Sequence, residues 1–167
     1  MIVRLENRRM KESGFTLTEL LIVIVVLLVI MTIAVPALQH NTKRANETDA
    51  IAALRDLNYS ESAYNTAYPT HGFACSLNAL GGKAGVGTPT AEAAQLIPED
   101  LSIGKKSGYT FAFSNCKKTT INNQDQYISY QITAVPDKPG YRGFCTDESN
   151  HIRFDPKGGS DCTELLR

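Results

Sequence analysis

Residues 15–38 read FTLTELLIVIVVLLVIMTIAVPAL, an apolar run of 24 residues holding a single charge, Glu19. As a helix the run would extend roughly 36 Å, enough to cross a bilayer core of about 30 Å. Arg4, Arg8, Arg9 and Lys11 precede it, against only Glu6 and Glu12. Basic residues on that side place the N-terminus in the cytoplasm and the remainder across the membrane. An ordinary secretory signal has an apolar core of about 7–15 residues and small residues before its cut. Thr32 and Ala34 could supply that small pair, but the run is too long. A plain membrane anchor fits the length, yet neither alternative accounts for Glu19.

Glu19 lies four residues beyond Phe15, about 6 Å along a helix. An acid in a membrane segment costs on the order of 2.5–3.5 kcal/mol at the centre and less near an end, so it is usually kept for a partner. A cut between Gly14 and Phe15 would create a positively charged α-amino group at the helix start. That amine could neutralise Glu19 of a neighbouring subunit and set an axial register. Paired with Glu19 of its own chain, it would only lower the cost of insertion.

The stretch Lys11-Glu12-Ser13-Gly14-Phe15-Thr16-Leu17-Thr18-Glu19-Leu20-Leu21-Ile22-Val23 resembles the type IV prepilin signature. It has a basic leader, Gly before the cut, Phe after it, and Glu four residues on. Thr18 departs from the aliphatic residue many relatives carry there. The resemblance implies cleavage after Gly14 and N-methylation of Phe15 by a membrane prepilin peptidase. It also implies a docking role for Phe15 and Glu19, an inner-membrane assembly platform, and a homo-oligomeric helical filament. The expected organisation is a leader at 1–14, a transmembrane or filament-core helix at 15–38, and a globular head at 39–167. A start at Met10 would shorten the leader and leave the mature chain unchanged.

Pro36 falls where many pilins carry a proline. Its missing N–H leaves the Thr32 carbonyl without a helical donor, which kinks or loosens the helix. By resemblance, residues 27–36 are the stretch expected to unwind in a filament. A proline there could also simply end the buried segment.

Beyond the run the pattern turns amphipathic. Ala50, Ala53, Leu54 and Leu57 follow i, i+3, i+4, i+7 spacing, with Tyr64 two turns on. Lys43, Arg44, Glu47, Asp49, Arg55 and Asp56 fill the intervening positions. No Gly or Pro lies between Pro36 and Tyr68, so one helix is expected over about 15–65, closed by Tyr68-Pro69. Turn signals then crowd residues 71–89, and residues 91–96 suggest a short helix capped by Thr90. GGKAGVGT at 81–88 lacks the Gly-x4-Gly-Lys-Ser/Thr order of a phosphate loop. Residues 109–113, 127–133, 141–145 and 151–154 alternate aromatic or branched with small or polar residues, as half-buried strands do. The expected fold class is α+β, a long N-terminal helix packed on a four-stranded antiparallel sheet. KSGYTFAF at 106–113 and FCTDESNHIRF at 144–154 also resemble segments of a major-pilin group.

Cys75, Cys116, Cys145 and Cys162 all follow the apolar run. None has C-x-x-C spacing or a His at zinc-ligand distance, so two disulfides in an oxidising compartment are favoured over a metal site. Three pairings are open. The favoured one joins Cys145 to Cys162, tying the tail to the third strand, and Cys75 to Cys116, tying the loop to the sheet.

Lys+Arg and Asp+Glu balance at 17 each, which argues against a polyanion-binding protein. Lys105, Lys106, Lys117 and Lys118 are the only hint of nucleic-acid binding, and two lysine pairs more often mark a solvated loop. His40, His71 and His151 are scattered, and no nucleophile elbow or paired carboxylates appear. No catalytic residue, metal or cofactor is therefore expected. Asp147 and Glu148 could bind calcium, as head loops of secretion pseudopilins do, but a hairpin turn explains them more simply. Asn46-Glu47-Thr48 and Asn58-Tyr59-Ser60 match glycosylation sequons at helical positions. The expected function is a structural subunit of a type IV pilus serving adhesion, twitching motility or DNA uptake. It would be an inner-membrane precursor, then part of an extracellular filament. The alternatives are a type II secretion pseudopilin, or a minor or tip pilin that binds DNA or a surface.

Overall fold

The structure, a computed structural model, describes residues 14–82, 85 and 87–166, without the side chains at 33, 34, 36 and 37. Residues 1–13 of the expected leader, part of the glycine-rich stretch at 81–88 and the side chain of Pro36 lie outside that description. The chain divides into two compact units, residues 1–41 and 42–167.

Helix α1 runs over Leu17–Ala67, and its backbone is helical through position 36. It stops one residue short of Tyr68-Pro69, since a proline disfavours helical backbone at the residue before it. In the second unit, the last turns of α1 supply Ala50, Ala53, Leu54, Leu57 and Tyr64, each at most 3% exposed. They form one core with Tyr109, Phe111, Tyr130, Ile132, Ala134, Phe144 and Ile152 of the sheet side. The 3.6-residue spacing thus meets the period-two faces of the strands, and each covers the other's apolar surface.

The sheet has six strands, not the four expected: β1 Lys105–Lys106, β2 Tyr109–Ile121, β3 Gln124–Pro136, β4 Gly143–Asp147, β5 Arg153–Asp155 and β6 Glu164–Leu165. All pairings are antiparallel, in the order β1-β2-β3-β4-β5-β6. The two additions are two-residue edge strands, too short to carry a legible alternation. Strands β2 and β3 also run far beyond the segments 109–113 and 127–133. Asn122 and Asn123 both adopt positive φ, at 51° and 61°, which suits the tight two-residue loop between Ile121 and Gln124. The polar extension of both strands beyond the core concealed their length.

A helix over 91–96 does not form. Thr90 and Ala93 make a local bridge, and Ala94, Gln95 and Leu96 donate N–H bonds to the carbonyls of Ala79, Gly81 and Leu80. Tertiary pairing and a positive φ of 56° at Gln95 override the helical preference of its alanines. The short helices lie on either side, α2 at Leu77–Leu80 and α3 at Glu99–Ser102.

Two disulfides, Cys75–Cys116 and Cys145–Cys162, staple the loops to the sheet. The segment after α1 also pairs with β3 through a bridge between Gly72 and Tyr127. Gly72 has φ +75°, and a Cβ there would sit 2.2 Å from the Tyr127 carbonyl oxygen. Only glycine permits that approach.

The head core contains polar groups, and each is matched. Arg142 Nη2 pairs with Glu47 Oε2 at 2.7 Å while its guanidinium lies over the rings of Phe144 and Phe154. Asn58 donates to Thr146 Oγ1 at 2.7 Å and accepts from the Tyr130 hydroxyl at 3.2 Å. Glu61 accepts the Ala74 and Cys75 N–H groups at 2.8 and 3.0 Å.

Candidate assembly site

The site most singled out by the sequence is the start of α1. Thr16 and Glu19 form a reciprocal cap there. The Glu19 N–H donates to Thr16 Oγ1 at 3.2 Å, while Thr16 N–H and Oγ1 donate to Glu19 Oε2 at 3.0 and 2.9 Å. This is a capping box, Thr-x-x-Glu, which satisfies donors the first helical turn otherwise leaves orphaned. Sequence reasoning missed Thr16, although the Thr16-Leu17-Thr18-Glu19 spacing is itself the signal. The carboxylate is therefore fixed at the helix entry, on the same turn as Phe15, and both its contacts fall on Oε2.

Among the described residues, a Cβ at Gly14 would meet nothing within 4 Å. Phe15 is 84% exposed. From Leu17 to Met31 every large apolar side chain is 47–82% exposed, with no sheltered face. A helix apolar all round needs lipid or other apolar helices about it. Among the described residues, which leave out the side chains at 33, 34, 36 and 37 of the apolar run, no helix is long and apolar enough to cross a membrane.

The head supplies little chemistry. Among the described residues no cluster of His, Cys, Asp or Glu could hold a metal. Asp147 is engaged by Arg153 at 2.9 Å and by the Ser149 N–H at 3.0 Å. Burial would raise its carboxyl, but the Ser149 bonds and Arg153 hold it below the usual range. Glu148 Oε2 accepts from the Tyr130 N–H at 3.4 Å. Of the four lysines, Lys106 pairs with Asp100 at 3.7 Å and Lys118 with Asp125 at 2.9 Å, which neutralises half of that basic patch. Asn58 is 3% exposed and hydrogen-bonded on both sides of its amide, so that sequon is closed to modification in the folded head. A polar groove of about 630 Å³ runs between Ser114, Gln131 and Thr133 and the segment 160–163. Its Ser114 and Asn115 donate to Gln131 Oε1, and it holds no nucleophile–base pair.

Residues 9–35 match the family described as the prokaryotic N-terminal methylation motif. The chain is 33% identical over 66 residues to type II secretion system core protein G of Aeromonas hydrophila, an overlap of 38% of this chain and 46% of that protein. The match thus spans about half the length of that curated relative. No solved structure matches the chain. The matched motif takes in Gly14, Phe15 and Glu19 at the entry to the bare stretch of α1, and the chain carries a prokaryotic N-terminal methylation motif over residues 9–35.

Proposed function

We propose that the protein is a structural subunit of a type IV pilus, made as a membrane precursor and assembled through α1 after removal of residues 1–14. A prepilin peptidase would cut between Gly14 and Phe15 and methylate the new amine. The precursor would cross the inner membrane once, N-terminus in the cytoplasm, through residues 15–38. An assembly platform would then move it into a homo-oligomeric helical filament, with loosening before Pro36 allowing the rod to extend. The head at 39–167 would form the filament's outer surface.

One observation carries this reading: the exposed apolar stretch that opens α1 begins with a single fixed carboxylate beside the Gly14–Phe15 junction. Lipid would cover the apolar surface before assembly, and other α1 helices afterwards. Burying each large side chain is worth about 1.5–3 kcal/mol relative to water, so the helix is stable in either setting and unstable bare. Among those helices the fixed Glu19 carboxylate meets the Phe15 amine of a neighbour. The pair selects one axial register, because any other leaves a charge unpaired in an apolar core.

The likeness to core protein G supports a second reading, a pseudopilin of a type II secretion system. Deletion of the gene separates the two. The pilus reading expects loss of surface filaments with normal exoprotein secretion. Accumulation of exoproteins in the periplasm with filaments intact would favour the pseudopilin. Filaments that persist but lose DNA uptake or adhesion would instead indicate a minor or tip subunit.

A further inference from the structure

Glu61 is the most deeply buried acid of the head among the described residues; Asp155, 8% exposed, likewise accepts two backbone N–H groups, those of Lys157 and Gly159, but at the surface end of a turn. Glu47 has Arg142 beside it, whereas Glu61 is 0% exposed. Among the described residues no basic group lies within ion-pair distance of Glu61. Its carboxylate grips two consecutive backbone N–H groups, those of Ala74 and Cys75. Both belong to a strap over 71–76, between the end of α1 and α2. Gly72 is bridged to Tyr127, and Cys75, at φ 51°, is bonded to Cys116.

The titratable groups around the carboxyl are neutral hydroxyls. Tyr64, on α1 itself, donates to the Ala91 carbonyl, and Tyr130, on β3, donates to Asn58. Glu61 raises both hydroxyls electrostatically, after burial, joined by Glu92 at Tyr64 and by Glu148 and Asp147 at Tyr130. The strap adds only His71, edge-on to the Tyr68 ring at 6.3 Å. The surroundings therefore hold acids and hydroxyls, with two N–H dipoles as the only stabilisation of a negative charge.

The geometry points to a proton-linked strap: residues 71–76 lift from α1 more readily as pH rises, because lifting lets Glu61 hydrate and release its proton. With the strap closed, the dry carboxyl favours its neutral form; with it open, the wet carboxyl ionises at an ordinary value. Burial pushes the closed-state carboxyl up to about 7, against the opposing bonds from Ala74 and Cys75. Opening between those two values discharges one proton to solvent, and closing takes it back. The ratio of open to closed then climbs about tenfold per pH unit and levels off above the closed-state value. The bond to Cys116 limits the swing and keeps the strap tethered to β2. This inference does not depend on the filament reading.

The test is amide hydrogen exchange on the oxidised full-length mature chain in detergent micelles, corrected for intrinsic exchange, from pH 5 to 8. Protection at Ala74 and Cys75 should fall by roughly 40-fold between pH 5 and 7, by more than at Ile132 in the core. Glu61→Gln, which cannot ionise, should flatten that dependence. Equal protection across the range, or the same slope in Glu61→Gln, would overturn the proposal. If that variant does not fold, a carbon-13 titration of the wild-type carboxyl decides. A Glu61 midpoint well above 4.5 supports the strap, and a midpoint at 4.5 overturns it.

Discussion

Thr16 and Glu19 do two jobs with one set of atoms: they start α1 and hold a carboxylate at its entry. Glu19→Ala removes both, while Thr16→Val weakens the cap and keeps the charge. Losing a cap costs about 1 kcal/mol, small beside the lipid or helix contacts of the apolar run. Both variants should therefore insert normally. Glu19→Ala should lose filament incorporation at least tenfold, read as pilin in sheared fractions against membrane pilin, and Thr16→Val should lose less. Wild-type incorporation by Glu19→Ala would end the docking role. At Gly14 none of the described residues resists a side chain, so Gly14→Ser should give a stable precursor that stays uncleaved on a blot. At Gly72 the fold does resist one. Gly72→Ala should cost on the order of 2 kcal/mol in the urea midpoint, with filaments still forming at low temperature.

Among the elements, α1 was the most legible, because its two halves are written in plain patterns: unbroken apolarity, then a 3.6-residue period ending at Tyr68-Pro69. Four strands were legible where one face is core and the other solvent. The outer reaches of β2 and β3 were hidden because Lys117, Lys118, Thr119 and Thr120 show no buried face. β1 and β6 were hidden because two residues hold no period. The 91–96 segment misled because its alanines favour helix locally while Ala79, Leu80 and Gly81 offer carbonyls only the fold brings near. Gly14, Phe15 and Glu19 stood out through charge placement alone, while the buried partners of Glu47, Asn58 and Glu61 lie 13 to 95 residues away and leave no local trace. The staples can be weighed the same way. Replacing Cys75 and Cys116 by serine should lower stability by about 2–4 kcal/mol, measurable as a shift in the denaturation midpoint under non-reducing conditions. Arg142→Ala leaves Glu47 buried without its partner. Because the Arg142 side chain is itself 37% exposed, the loss should be on the order of 2 kcal/mol, below that of a fully buried pair.

The whole molecule joins an apolar stretch that cannot remain bare in water to a head with a packed core of its own, and pH acts on the second. Glu61 has a raised folded-state value, so its contribution is full below 4.5 and is lost as pH rises through about 7, a change of at most about 3 kcal/mol. Asp147 is held low, so its contribution is present above 3.8 and is lost as pH falls below that. Denaturation midpoints of the oxidised protein should accordingly be highest near pH 4–5 from these two groups, with the upper limb flattened in Glu61→Gln. The apolar helix needs a different assay, since its surface is satisfied only by lipid or by copies of itself. Filaments sheared from cells and analysed by mass spectrometry report both the cut and the assembly at once. The main component should be this chain beginning at an N-methylated Phe15; filaments lacking it, or containing it with the leader attached, would contradict the proposed route from precursor to pilus.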